Sequence, residues 1–407
     1  MGTIIKIISF IAALAVLGRT LGNYNEYLKR LNKPLNVLIG LCVLASAGLN
    51  FWPSDNPATK SDVEKVGDQV ENPQAEHKLD MENLMTYVMT LAGQEEPDSS
   101  LIATIRVLAE RLEGIVETAF DKGIVAIGLE KYDDALTHLD YALKAAGENL
   151  FQRASVFFYI GYINSRQGNN ELALVCYDSS VTYDSFSRNA WYNRGNTLTK
   201  LDRYEEAIAS YDSALVYDLT YYKAWYNRGF AYTKLSRPNE AIANYDRALA
   251  YKHDIVEAWY NRGIDLIKLN QYGEAIASFD STLIFNSNHY NAWHYRGNAL
   301  IELNRDEEAI ASFDSALVYK SDLLEAWYKR GYALTELNRH GEAIAGYDSA
   351  LSYQPDSYRA WKYRAISLTL LNRFEEALSN CDSALYYSPG DSAILALRNE
   401  IMDFMNK

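Results

Sequence analysis

The chain has 407 residues, with 39 Lys and Arg against 53 Asp and Glu and a formal net charge of −14. That balance argues against a nucleic-acid partner held through its phosphates, which needs a basic footprint. Thirty-two tyrosines beside eight prolines suit packed helices and exclude a disordered chain.

Two apolar runs come first, 4–17 (IIKIISFIAALAVL) and 35–52 (LNVLIGLCVLASAGLNFW). The second holds 18 residues without a charge and lies near the minimum length of a membrane-spanning helix. The first is shorter and carries Lys6. It spans with a snorkelling Arg19, serves as a signal-like segment, or lies flat on the membrane. Arg19, Lys29, Arg30 and Lys33 against Glu26 keep the segment between the runs cytoplasmic. Every spanning arrangement then places the chain from residue 53 onward outside the cytoplasm, in a periplasm or at the cell surface. Burial of both runs inside a soluble domain is the competing arrangement. Residues 1–52 are thus expected to form a membrane anchor of one or two transmembrane helices, drawn most simply as a two-helix hairpin.

Residues 53–98 are polar and punctuated by Pro53, Pro57, Pro73 and Pro97. They read as a tether with short helical pieces at 61–72 and 79–92. Within 99–115, Leu101, Ile105, Leu108, Leu112 and Ile115 step by 4, 3, 4 and 3, as a heptad seam does. Two heptads are too few for a free coiled coil. The expectation is a helix that docks on the segment beginning at 116, with pairing to a second copy as the alternative.

From 116 to 391 the chain repeats itself. Trp191, Trp225, Trp259, Trp293, Trp327 and Trp361 lie 34 residues apart, in phrases such as AWYNRG, AWHYRG and AWYKRG. A fixed period of this kind means one supersecondary unit stacked many times. In the copy at 188–221 the apolar or small positions Trp191, Gly195, Leu198, Leu201, Tyr204, Ala207, Ile208, Tyr211, Ala214 and Leu215 step mostly by three and four, with a phase break at 202–203. Each unit is therefore two helices and a short turn. Gly168, Asp202, Ser236, Asn270, Asn304, Asn338 and Asn372 recur at the turn, where Gly and Asn suit a left-handed helix-ending residue. Residues 392–407 read as a capping helix on the last unit's open apolar edge.

Trp191, Gly195, Tyr204, Ala207, Tyr211 and Ala214 resemble the tetratricopeptide repeat, which carries an aromatic, a glycine and two alanines at these offsets. Eight units start near 116, 154, 188, 222, 256, 290, 324 and 358. The first two depart from the pattern, with Ala119 and Phe157 in the Trp place, although the first keeps Gly123, Tyr132, Ala135 and Ala142. The first also runs four residues long, and the proline that closes the family's unit survives as Pro355 and Pro389. The resemblance implies an all-α, right-handed superhelical solenoid.

It further implies that first helices line a concave groove. One offset of that helix reads Tyr192, Tyr226, Tyr260, His294, Tyr328 and Lys362, and the next reads Asn193, Asn227, Asn261, Tyr295, Lys329 and Tyr363. With Asn196 and Asn298, these rows are the candidate peptide-binding groove. A side-chain amide offers both a donor and an acceptor to a peptide unit, and tyrosines add rigid, amphipathic contact area. The three asparagines are similar to the ladder of the peptide-binding repeats in protein O-GlcNAc transferases; a solvent-tolerant filler role is the alternative. The family's clamp for a C-terminal carboxylate is not matched, since Tyr192 or His294 stands where its first lysine belongs. Arg194, Arg228, Arg262, Arg296, Arg330 and Arg364 form another row, which recurring Asp residues can pair.

No phosphate-cradling glycine loop, HExxH or GxSxG is present, and every carboxylate-rich stretch is a repeat feature. Cys42, Cys176 and Cys381 are dispersed and give no metal spacing. The sequence thus predicts a non-catalytic, membrane-anchored scaffold that needs no cofactor or metal. Its partner is a protein, held through a peptide segment or helix in the groove. A ligand-sensing regulatory subunit or an assembly factor of an envelope complex is the alternative.

Overall fold

The structure, a computed structural model, describes residues 73–92 and 99–405. All the repeats lie within one compact unit, residues 77–407. The two apolar runs and the 61–72 piece fall outside the described residues. Among the described residues no helix is long and apolar enough to cross a membrane.

All 19 elements of the described residues are α-helices. Two precede the repeats, α1 (Pro73–Ala92) and α2 (Ser99–Leu112). Eight pairs come next: α3 (Ala119–Gly128) and α4 (Tyr132–Ala146), α5 (Leu150–Arg166) and α6 (Asn170–Tyr183), α7 (Arg188–Lys200) and α8 (Tyr204–Tyr217), α9 (Tyr222–Lys234) and α10 (Pro238–Tyr251). The remaining pairs are α11 (Val256–Lys268) and α12 (Tyr272–Phe285), α13 (Tyr290–Glu302) and α14 (Asp306–Tyr319), α15 (Leu324–Glu336) and α16 (His340–Tyr353), α17 (Tyr358–Leu370) and α18 (Phe374–Tyr387). A last helix, α19 (Ser392–Met405), closes the series. The four residues by which the first repeat overruns its period extend α5 at its start, where Asn149 caps the N–H of Gln152 at 3.1 Å.

The turn inside each pair is a Schellman motif. Asp202, Ser236, Asn270, Asn304, Asn338 and Asn372 all have φ between 56° and 58°, and Gly168 has 81°. The next residue closes the turn, as in Arg203 N–H to Leu198 C=O at 2.9 Å and Arg305 N–H to Leu300 C=O at 2.9 Å. In the first repeat Glu130 takes this conformation at φ 59°, a position that nothing in its side chain announces. Second helices open on acidic residues, such as Glu205 and Glu206 of α8, which suit the positive end of the helix dipole.

Within a pair the two helices interlock through a glycine and an aromatic ring. Gly195 faces Tyr211, Gly229 Tyr245, Gly263 Phe279, Gly297 Phe313 and Gly331 Tyr347. In the last repeat Ala365 replaces the glycine and Cys381 the ring, both fully buried. Each of the six tryptophans is half-buried, and its Nε1–H donates to the carbonyl six residues back, from Ser185 at 2.8 Å to Pro355 at 2.8 Å. The indole thus pins the loop that leads into its own helix.

First helices of successive repeats touch one another, whereas second helices approach less closely. The layer in which every second helix makes contact has the shorter radius, so the first helices form the inner layer of the array. At the start, α2 packs on α3 with Ile105, Leu108, Ala109 and Leu112 buried, whereas Ile115 of the 4-3 seam lies beyond the helix and is exposed. The stretch read as tether behaves differently. Helix α1 is longer than the short piece expected, and it buries Met81, Leu84, Val88 and Leu91 in the same cluster. A Cβ at Gly128 of α3 would lie 2.8 Å from Ala109 and 3.3 Å from Leu84, so α1 and α2 both close on that glycine. Arg111 ties the two by a 2.8 Å bond to Asp80.

Candidate functional site

The inner layer carries the groove residues, and the structure shows what each touches. Tyr192, Asn193, Asn227, His294 and Tyr328 are buried. Asn196, Tyr226, Tyr260, Asn261, Asn298, Lys329 and Lys362 are half-buried. The asparagine row bonds inside the protein. Asn193 Nδ2 donates to the Asn189 carbonyl at 2.9 Å, within its own helix. Asn227 Nδ2 reaches back one repeat to Tyr192 Oη at 3.1 Å and Asn196 Oδ1 at 2.8 Å. Asn261 Nδ2 likewise meets Tyr226 Oη at 3.3 Å. Tyr and Asn rows therefore stitch neighbouring repeats together along the inner face. Burial raises the phenols of Tyr260 and Tyr328 above their usual range, which keeps them as hydroxyls.

The stitch changes at the sixth and seventh repeats. His294 stands in the tyrosine row and Lys329 in the asparagine row. His294 Nε2 bonds Asn298 Nδ2 at 3.0 Å, which makes that ring nitrogen the acceptor. His294 Nδ1 and Asn298 Oδ1 are then buried with no hydrogen-bond partner. Burial pushes the His294 imidazole down to about 4, and the nearby Lys329 ammonium acts in the same direction, so the ring is neutral at pH 7. Next along, the Tyr328 ring packs against Tyr363 at 5.5 Å, and Lys362 Nζ lies 3.8 Å from Asp391.

The arginine row pairs on the other side of the first helices. Arg262 Nε donates to Asp246 of the preceding repeat at 2.7 Å, while its Nη1 donates to Ser278 of its own second helix at 2.7 Å. Arg194, Arg228, Arg296 and Arg364 each make the same pair of contacts, with Ser210, Asn244, Ser312 and Asn380 as the second partner. Arg330 bonds Asp314 at 2.5 Å, but Gly346 stands where the serine belongs. One buried carboxylate escaped the sequence reading. Asp265 is fully buried on α11 and accepts from Thr233 of the previous repeat and from Lys268 at 2.7 Å. Its signal is the offset it occupies, filled elsewhere by Thr197, Ala231, Ala299, Ala333 and Ser367.

Among the described residues no cluster of three His, Cys, Asp or Glu side chains is placed to hold a metal. Cys176 and Cys381 are free thiols, and burial pushes Cys381 up to about 11, far from a reactive thiolate.

Comparison with known proteins agrees with the architecture. Models of the tetratricopeptide repeat match residues 222–254 and 328–392, and a model of the TPR repeat matches 195–236 and 297–338. No curated protein sequence matches. Among solved structures, the C-terminal part of a TPR repeat-containing protein from Cytophaga hutchinsonii superposes with a TM-score of 0.52 at 14% identity, covering 59% of this chain and 98% of that one. A tetratricopeptide repeat protein from Parabacteroides merdae is 18% identical over 61% of this chain and 97% of its own, with a TM-score of 0.43. YrrB, described as a TPR protein with an unusual peptide-binding site, is 24% identical over 45% of this chain and 95% of its own, also with a TM-score of 0.43. The 34-residue period, the paired helices and the family models agree: this chain carries tetratricopeptide repeats.

Proposed function

We propose that this protein is a non-catalytic, membrane-anchored scaffold that captures a peptide segment or helix of a protein partner on its inner, first-helix face. Tetratricopeptide-repeat proteins are in general protein-interaction scaffolds. One observation carries the finer reading. His294 Nδ1 and Asn298 Oδ1 are buried beside Lys329 without partners, at the position where Tyr192, Asn196 and Asn227 satisfy one another. A buried polar group left unpaired costs about 1–3 kcal/mol, so it marks a place where an occupant gains. A peptide unit supplies the acceptor for the one and the donor for the other.

The test is a cross-linked pull-down with the full-length chain, wild type against His294→Tyr/Asn298→Leu. The first change restores the residue of the neighbouring repeats, and the second removes the orphaned acceptor. Loss of a partner from a variant with unchanged helicity is the expected result, and undiminished capture would sink the reading. The anchor and the export of the array rest on the apolar runs 4–17 and 35–52 and the basic segment between them. Protease added to intact cells or spheroplasts should digest the repeats while a cytoplasmic control survives. Protected repeats would overturn the export.

A further inference from the structure

In six consecutive repeats, the second to the seventh, the last residue of the first helix is charged, and the row changes sign once. It reads Arg166, Lys200, Lys234 and Lys268 at the ends of α5, α7, α9 and α11, then Glu302 and Glu336 at the ends of α13 and α15. All six side chains are exposed. Cations at a helix C-terminus complement its dipole, and Lys268 also pairs the buried Asp265 at 2.7 Å, which together account for the basic half. It fails for the acidic half, where a carboxylate opposes the dipole. Helix stability therefore does not explain the reversal.

The row borders the inner face. Lys200 Nζ contacts Ser165 of the preceding first helix at 3.2 Å, and Lys234 Nζ lies 5.0 Å from the Phe230 ring. Between Arg166 and Lys200 opens a cavity of about 310 Å³, lined also by Tyr162, Asn193 and Asn196 and bounded by Ala92 at the end of α1. At the acidic end Asp306 stands near Glu336 and Glu307. Burial raises its carboxyl, and the two neighbouring carboxylates raise it further. The cations nearest in sequence to this end are engaged elsewhere: Arg305 bonds Glu308 and Arg339 bonds Glu342, each at 2.7 Å, while Lys362 lies 3.8 Å from Asp391.

We propose that the inner face receives its partner segment in one orientation, with an acidic stretch over Arg166, Lys200, Lys234 and Lys268 and a basic stretch over Glu302 and Glu336. This rests on the peptide-binding reading of that face and adds the chemistry of the peptide. The cavity between Arg166 and Lys200 takes an acidic side chain of the segment. Crowding of Glu336, Glu307 and Asp306 is relieved by a lysine or arginine from its other end. First helices in contact lie about 10 Å apart. Four basic ends then span about 30 Å, the reach of about nine extended residues.

The probes are synthetic peptides of about 18 residues. Two carry a glutamate block joined to a lysine block, in either order, and a third alternates the same residues. Binding to the full-length chain is measured by fluorescence anisotropy. At low salt the better block peptide should bind about tenfold tighter than the alternating one, and the gap should close near 1 M salt, where screening acts within about 3 Å. A photo-cross-linker in its glutamate block should label the first helices α5 to α11. Lys200→Glu/Lys234→Glu should weaken the block peptide about tenfold at an unchanged melting temperature. Equal affinity of block and alternating peptides, labelling of α13 or α15 by the glutamate block, or no binding by any of the three overturns the proposal. Capture of the native partner, tested with the His294 and Asn298 variants, judges the face itself separately.

Discussion

Gly195 stands where it does because Tyr211 fills the space a side chain would need. A Cβ there would lie 2.5 Å from Tyr211 Cε1, against the flat side of a ring that is itself fully buried. The ring cannot swing aside in a packed interior, so the helices must part or the ring must leave its rotamer. Gly195→Ala should therefore destabilise the array by about 1–3 kcal/mol, although alanine is the better helix former. Tyr211→Cys alone should cost about 3 kcal/mol or more through the cavity it leaves. The last repeat holds both changes at once, in Ala365 and Cys381. The double variant should accordingly be more stable than the sum of the single losses, by about 1 kcal/mol or more. Urea unfolding of the four proteins measures this. Strict additivity would mean that Ala365 and Cys381 share no packing logic.

Helix pairs are joined to the next pair by the arginine row, and its internal variation supplies a control. Arg262 is forked between Asp246 and Ser278, with its side chain 16% exposed, whereas Arg330 has Asp314 but only Gly346 opposite its other arm. Lysine is a single point donor and cannot hold both ends of the fork. Arg262→Lys should cost about 1–2 kcal/mol through the contacts it leaves unpaired, and Arg330→Lys should cost clearly less. Equal losses by thermal or urea unfolding would show that the second arm contributes nothing. This pairing was open to inspection in the sequence, because Arg and Asp recur at fixed offsets. So were the Trp slots and the left-handed turns, whose chemistry is local. The fate of the asparagine row was not. Whether Asn227 faces a ligand or Tyr192 depends on how far successive first helices approach, a distance that period and composition leave open. Glu130 in a left-handed turn and the burial of α1 escaped for the same reason. Tertiary contact overrode a side chain that favours neither, and the apolar stripe Met81, Leu84, Val88 and Leu91 lies in a piece read as helical but as part of a polar tether.

An array of this kind is stable by neighbour contacts, so its ends decide where unfolding begins. At the N-terminal end α1 and α2 cover the first repeat, with Leu84, Ile105 and Ala109 against α3. At the other end the cover is α19 alone, which sets Ile394 and Ile401, both fully buried, against Leu368, Cys381 and Ala384. Leu397 packs half-buried beside them and the Phe404 ring stacks on Phe374, while Leu395, Met402 and Met405 stay exposed. Arg398 adds a 2.7 Å bond to Asp382, which continues the arginine row by one further step without a second-helix partner in its own unit. Truncation after Tyr387 removes all of this and opens the inner side of α17 and α18 to water. Hydrogen exchange should then lose protection in α17 and α18, lose less in α15 and α16, and change little from α11 backwards. A loss spread evenly over the whole array would mean that the repeats unfold as one cooperative body. In that case the stitching seen along the inner face, Tyr192 to Asn227 and Tyr226 to Asn261, would transmit stability over many repeats and not from one neighbour to the next.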